Sequence, residues 1–460
     1  MTARHFNHVL WIATLGLTQM LPVASAQRGA ASSATAANSS NTHWVATWAA
    51  AQQQPNAGRG GGGRGAGAPA AAPGPGAAPA QAPAATTPTP AAPVAGTLNN
   101  QTARMIVRTS IGGSRVRVEF SNAFGATPLD MGAAHIAIRG NDSAIVAGSD
   151  RALLFNGKPT ARVLPGAVLL SDPVDLVVPR LGDLAISVYV PGDSGRASQH
   201  SQALHTTYIS AGDTTGQTEM ADATKTAAWY WISSVDVMAP ADAGAIVAFG
   251  DSITDGTTST VNANRSWPSL LAERLIANPA TANFSVLNLG IAGNRVLGDG
   301  AGVSALARFD RDVLAQPGVK WLMILEGIND MNGAGRGGAA ATGPALTADD
   351  LIAGMKQMIE RAHTHGIKVI GCTLTPYGNA TDAVEAMRQA LNLFIRASGA
   401  FDNVVDFDKV IQDPNDPRQF RQGYNNTDKL HPNDAGYKAM ADAIDLSIFA
   451  PKPAAAPARR

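Results

Sequence analysis

A serine, a histidine and an aspartate stand in this chain where attack on an acyl carbon would need them. Gly250-Asp251-Ser252-Ile253-Thr254-Asp255-Gly256 closes an aliphatic run from Ala245 to Phe249, and Asp428-Lys429-Leu430-His431-Pro432 lies near the C-terminus. The aliphatic run reads as a buried strand feeding a tight turn, which holds Ser252 Oγ at the carboxyl edge of a sheet, where ligands bind in open α/β folds. An alcohol is a weak nucleophile near neutral pH unless an imidazole takes its proton and a carboxylate fixes the imidazole's tautomer. Asp428 and His431 supply that pair from one loop or one helix entrance, a geometry that Pro432 and Asn433 favour.

Two more strand-like runs end in groups suited to a developing negative charge. Val286 to Leu289 leads into Gly290-Ile291-Ala292-Gly293-Asn294, and Trp321 to Leu325 into Glu326-Gly327-Ile328-Asn329-Asp330. With no Cβ, Gly293 lets its backbone N–H approach a reacting carbonyl closely. Asn329 adds a side-chain amide, and the Ser252 N–H makes a third donor.

Each motif alone is an ordinary turn, since Gly, Asp, Asn and Ser are turn residues. In this order the four blocks resemble the SGNH or GDSL superfamily of hydrolases, over roughly residues 244 to 449. The resemblance implies Ser252 as nucleophile, His431 as general base, Asp428 as its partner, and Gly293 and Asn329, with the Ser252 N–H, as the oxyanion hole. Ile253 replaces the Leu of the eponymous motif, a volume-conserving exchange. The Gly-x-Ser-x-Gly elbow of α/β-hydrolases is excluded, because Thr254 stands at its second Gly. No metal-binding or phosphate-loop motif occurs, so the expected mechanism uses no cofactor and no metal. Of nine histidines, no other follows an Asp at this spacing near a strand end; His363 and His365 read as the end of a helix before Gly366.

The elements that must position these residues are legible as alternating periods. Strands near 245, 286, 321, 368 and 404 alternate with helices, one starting at Pro268 and running to Ile276, another carrying Leu351, Ile352, Met355, Met358, Ile359 and Ala362 at helical spacing. That is the pattern of an α/β doubly wound parallel sheet, and the resemblance implies its flavodoxin-like three-layer form. From Thr102 to about Val237 the period shortens to β-like runs: Met105–Thr109, Arg115–Phe120, His135–Arg139, Asp175–Val178, Asp183–Val190 and Ala203–Ile209. Several short strands bounded by turn residues predict a jelly-roll-like β-sandwich. Trp44 to Trp48 and Ser121 to Gly125 are similar to segments of the β-domain that precedes the hydrolase domain in a secreted branch of the family. Trp229-Tyr230-Trp231 reads as packing in a core or between domains rather than as a carbohydrate platform.

The expected organisation is a signal peptide at 1–26, an extension at 27–43, a β-sandwich domain at 44–240, an SGNH hydrolase domain at 241–450 and a disordered tail at 451–460. Arg4, the apolar stretch from Val9 to Val23 and Ala24-Ser25-Ala26 fit a cleaved leader, so a secreted or periplasmic location is expected, without stable membrane insertion. A Gly/Ala/Pro-rich tract at about 52–95 reads as a disordered insertion within the β-domain, and Gly333 to Thr347 as a mobile rim or plain surface slack. With 35 basic and 35 acidic side chains, no field draws nucleic acid or anionic lipid. The single cysteine, Cys372, forms no intrachain disulfide and reads as a buried strand thiol. The resemblance covers lipases, arylesterases and carbohydrate deacetylases, and secretion with a β-domain favours small-molecule or polysaccharide esters carrying short acyl groups. A non-catalytic polysaccharide-binding protein is the contrasting reading; oligomeric state is not legible.

Overall fold

Five parallel strands bring three of the four motifs level with one another. In the computed structural model, which describes residues 42–54, 96–334 and 346–450, Gly244–Gly250 lies between Phe284–Gly290 and Val319–Leu325, followed by Lys368–Cys372 and Asn403–Val405. All four pairings are parallel, and Gly250 aligns with both Gly290 and Leu325. The chain leaves its first strand to one side and returns on the other, so a crevice opens at that strand's carboxyl end, the usual ligand position in such sheets. Every residue of Gly244–Gly250 is buried, as expected for a parallel strand covered on both faces. The expected leader and tail, nearly all of the 52–95 tract and most of Gly333 to Thr347 lie outside the described residues.

The helices follow their capping signals. Trp267–Ala277 starts with Pro268 in its first turn. Ala348–Thr364 opens on a capping box between Thr347 and Asp350 and ends with His363 in its last turn and His365 as its cap. Asp434–Asp442 begins where Asn433 accepts from the N–H groups of Ala435 and Gly436, so a well-defined helix start lies two residues past His431. Cys372 is fully buried in Lys368–Cys372, and burial pushes its thiol well up. No helix among the described residues is long and apolar enough to cross a membrane.

Upstream, the strands form two larger antiparallel sheets. One runs Thr42–Ala49, Ile232–Pro240, Gly113–Ser121, Val168–Leu170, with Val174–Val178 also on Gly113–Ser121. The other runs Thr224–Thr226, Thr207–Ala211, Gln101–Arg108, Asp183–Val190, Ala133–Ile138, Arg151–Ala152. The alternation in Arg115 to Phe120 holds: Val116, Val118 and Phe120 are buried, while Arg115, Arg117 and Glu119 are not. These three share a hydrophobic cluster with Met105, Val107, Ile186 and Val188 of the other sheet.

Two details differ from the sequence reading. The run Ala203–Ile209 is strand only from Thr207 on, and Ile232–Pro240, a central strand, was not anticipated because Ser233, Ser234 and Asp236 interrupt its apolar pattern. Those polar residues are buried with partners: Asp236 accepts from Arg117 Nε at 2.9 Å, and Ser233 Oγ donates to Glu119 Oε1 at 2.7 Å. Trp229, Tyr230 and Trp231 are all buried. Trp229 meets Trp48 edge-on at 4.9 Å and donates its Nε1–H to Ile106 O at 2.8 Å. They pack; they form no exposed platform.

The first strand, Thr42–Ala49, touches both regions. It pairs with Ile232–Pro240, yet its Ala46 N–H donates to Pro317 O at 3.0 Å and its Ala46 carbonyl accepts from Ser285 Oγ at 2.6 Å. Ser110 Oγ donates to Val286 O and accepts from Val286 N–H, each at 3.1 Å. One hydrophobic cluster therefore runs from Val116 and Phe120 through to Ile246 and Leu287.

Candidate active site

Ser252 opens a four-residue helix, Ser252–Asp255, immediately after the central parallel strand. Asp251 caps it, its Oδ1 accepting from Ile253 N–H at 2.9 Å, and Gly256 ends it in the left-handed region at φ 106°. A Cβ on Gly250 would collide with the Thr254 side chain and the Leu325 carbonyl, so only glycine lets the chain turn this tightly against the neighbouring strand. Ser252 is 5 % exposed.

Asp428 and His431 come to this turn from the loop before Asp434–Asp442. Asp428 Oδ1 accepts from the N–H groups of Leu430 and His431, each at 3.0 Å, and its Oδ2 lies 2.6 Å from His431 Nδ1. Lys429 takes φ 56° between them, the bend that folds the carboxylate back onto the ring. His431 Nε2 lies 2.8 Å from Ser252 Oγ. The carboxylate accepts the proton of Nδ1, so Nε2 is the bare nitrogen facing the serine hydroxyl. Burial opposes the Asp428 charge, but the His431 ring and the two N–H donors outweigh it and hold the carboxyl below its usual range. Thr258 Oγ1 donates to Pro432 O at 2.7 Å, fastening the loop to the serine side.

The donors expected from the other two blocks lie on adjoining turns. Gly293 has φ 82°, and a Cβ there would come within 2.9 Å of the Ala301 side chain, so both conformation and space call for glycine. Asn329 Nδ2 donates to Asn294 O at 2.9 Å, which commits one of its two amide hydrogens to the turn after Gly293 and leaves the other for a ligand. Asp330 accepts from the N–H groups of Val296 and Leu297 at 2.8 and 3.1 Å. Among the described residues no protein acceptor takes the N–H of Ser252 or Gly293.

Beneath these turns sits a hub that the sequence reading missed. Arg308 is fully buried, and its guanidinium donates to Gly250 O at 2.9 Å, Leu289 O at 2.7 Å and Asn294 Oδ1 at 2.9 Å. It pairs with Asp312 at 3.1 Å, stands 3.7 Å from Glu326 Oε1 and lies over the Phe249 ring. One cation thus ties together the ends of all three motif strands. The available signal was its place on the stripe of Ala305 and Phe309, where a charge is out of keeping. Glu326 Oε1 and Asp251 Oδ2 are buried without a donor. Burial first, then the Asp251 charge, raises Glu326 well above the carboxylate range, and burial raises Asp251 to about 7. A proton retained on either acid removes a buried charge from this cluster.

The model of a known family, GDSL-like lipase/acylhydrolase, matches residues 246–444. Among curated proteins nothing matches the chain. Similar solved structures include a member of the lipolytic protein G-D-S-L family from Veillonella parvula DSM 2008, 22 % identical over 45 % of this chain and 98 % of that one, TM-score 0.33. A GDSL-like lipase from Bacteroides thetaiotaomicron VPI-5482 is 22 % identical over 45 % of this chain and 87 % of its own, TM-score 0.31. An acetyl xylan esterase is 22 % identical over 43 % and 96 %, TM-score 0.34.

Proposed function

Through residues 246–444 the chain belongs to the GDSL-like lipase/acylhydrolase family and is a carboxylic ester hydrolase, and from that premise we propose a two-step acyl-enzyme mechanism at Ser252. Ser252 Oγ attacks the ester carbonyl as its proton passes to His431 Nε2. Asp428 steadies the resulting imidazolium through Nδ1. The tetrahedral oxyanion rests on the N–H groups of Ser252 and Gly293 and the free amide hydrogen of Asn329. His431 then hands its proton to the departing alkoxide, and water, deprotonated by the same nitrogen, hydrolyses the acyl-serine. The observation that carries this reading is the continuous line Asp428 Oδ2, His431, Ser252 Oγ, with links of 2.6 and 2.8 Å.

The natural substrate, in this reading, is a short-chain ester such as acetyl on a carbohydrate, met outside the cytoplasm by an enzyme whose residues 1–26 are a leader. Residues 44–240 are then a sandwich-like β-domain and 241–450 the hydrolase domain. The change from antiparallel pairing at Ile232–Pro240 to parallel pairing at Gly244–Gly250 supports that division. Burial of Trp229, Tyr230 and Trp231 removes the aromatic surface on which a purely carbohydrate-binding role was to rest. Turnover of p-nitrophenyl esters from acetyl to palmitoyl, beside acetate release from acetylated xylan, tests the assignment. Acetyl preference with release from the glycan is expected; preference for long chains would make the enzyme a lipase.

A further inference from the structure

The antiparallel region reaches the hydrolytic centre through a buried histidine. His200, on the two-residue strand Gln199–His200, is 2 % exposed. Its Nδ1 lies 2.9 Å from Ala51 O and its Nε2 3.1 Å from Asp255 Oδ1. A carbonyl and a carboxylate both only accept, so both ring nitrogens must carry protons and the ring is an imidazolium. Burial works against that charge, but Asp255 and the backbone carbonyls outweigh it and hold the ring above the ordinary histidine range.

Asp255 closes the helix that Ser252 opens. Its second oxygen, Oδ2, accepts from the N–H of Ala292 at 3.2 Å, the residue before Gly293. Gln53 gives the same turn a second support: its Nε2 donates to Ala301 O, and its Oε1 accepts from Ser201 N–H at 3.2 Å. Ala301 is the residue against which Gly293 packs.

We infer that His200 is a positioning residue for ester hydrolysis, acting through Asp255 to hold the Ile291–Gly293 turn at the distance an oxyanion requires. Without the ring, Asp255 is a buried carboxylate with no counter-ion, and it must take up a proton or turn away. Turning away releases Ala292 N–H, and protonation weakens the bond it donates to Oδ2. Donors fixed in advance are what stabilise the oxyanion, and a misplacement of about 1 Å costs about 10²-fold in rate.

The inference rests on the reading of Ser252 as nucleophile, and the test separates the two. His200→Phe, His200→Gln, Asp255→Asn and the double variant His200→Phe/Asp255→Asn are assayed on p-nitrophenyl acetate, with kcat expressed per site titrated by a fluorophosphonate. The expected result is a kcat about 10- to 100-fold lower in His200→Phe with KM within about twofold. His200→Gln, whose amide still donates to Asp255 but brings no charge, recovers part of the loss, and the double variant is no slower than Asp255→Asn alone. A kcat per site within about twofold of wild type in His200→Phe, or effects that multiply in the double variant, overturns the inference. The 15N shifts of the wild-type His200 ring at about pH 8, above the ordinary histidine range, give a second reading that needs no variant to fold: two protonated nitrogens agree with it, and a neutral ring overturns it. Turnover retained in Ser252→Ala would instead overturn the acyl-enzyme reading, and the relay with it.

Discussion

Among the described residues the Ser252 hydroxyl makes one hydrogen bond, with His431, whose ring is partly exposed and can turn to solvent. Ser252→Ala is therefore expected to cut ester turnover by about 10⁴-fold or more with an unchanged circular dichroism spectrum; activity within tenfold of wild type would remove it from the mechanism. Asn329→Ala is expected to lower kcat by about 10² to 10³. Because the same amide holds Asn294 O, the variant should also melt slightly earlier, whereas a change in KM alone would make Asn329 a ground-state binder. The buried acids make a pH prediction. Asp251 and Glu326 have raised values in the folded state, so they bind protons on folding. Their contribution to stability is complete below the ordinary carboxylate range and is lost as pH rises, through about 7 for Asp251 and through a range raised well above the ordinary carboxylate value for Glu326. His200, also raised, acts in the same sense, and His205, lowered by burial, in the opposite one. Glu326→Gln keeps an acceptor for Gly327 N–H and mimics the protonated acid. Its melting temperature should fall less between pH 5 and 8 than that of wild type, by about 3 °C or more; identical slopes would place the proton elsewhere. The groups proposed to carry the reaction, Ser252, Asp428, His431, Gly293 and Asn329, were legible in the sequence because acyl chemistry needs fixed residue types at strand ends. His200, Asp255 and Arg308 were not, since their partners lie 55 positions away for His200 and Asp255 and 58 for Arg308 and Gly250.

At the scale of elements, the short helix Ala305–Phe309 and the π-turn Asp310–Leu314 that continues it exist to bring one guanidinium under three strand ends. Lysine in place of Arg308 keeps the charge but loses the fork that reaches Gly250 O, Leu289 O and Asn294 Oδ1 together. Arg308→Lys is expected to cost about 3–5 kcal/mol in urea unfolding and to reduce kcat along with stability. An undiminished midpoint would show the hub to be dispensable. Though Asp382–Ala397 was not anticipated, the parallel strands and the helices at Pro268 and Leu351 followed from period and helix-start signals: Val286 to Leu289, Trp321 to Leu325 and the Pro268 helix lie within two residues of their observed limits. Ile232–Pro240 did not, because Ser233 and Asp236 are satisfied by side chains of Gly113–Ser121 and Ser234 by Asp236, and a polar residue paired in this way reads in sequence as a turn.

Across the whole molecule, Thr42 onwards forms one compact unit, with a hydrophobic cluster common to antiparallel and parallel sheets. A chain of two sheet systems would ordinarily be expected to unfold in steps. Here a single calorimetric transition is expected, with van't Hoff and calorimetric enthalpies in agreement; two resolved transitions would show the sheets to be independent. The described ends that flank residues 55–95 meet on one short stretch: Gln53 pairs with Gln199, and Gly96 O accepts from Ala197 N–H at 3.1 Å. Thr42–Ala49 therefore relates to the rest of the enzyme as a ligand does to its receptor. A single peptide-bond cleavage between 55 and 95 would convert an intramolecular strand into a dissociable peptide carrying Ala51 and Gln53, and the activity of the nicked enzyme would then depend on its own concentration.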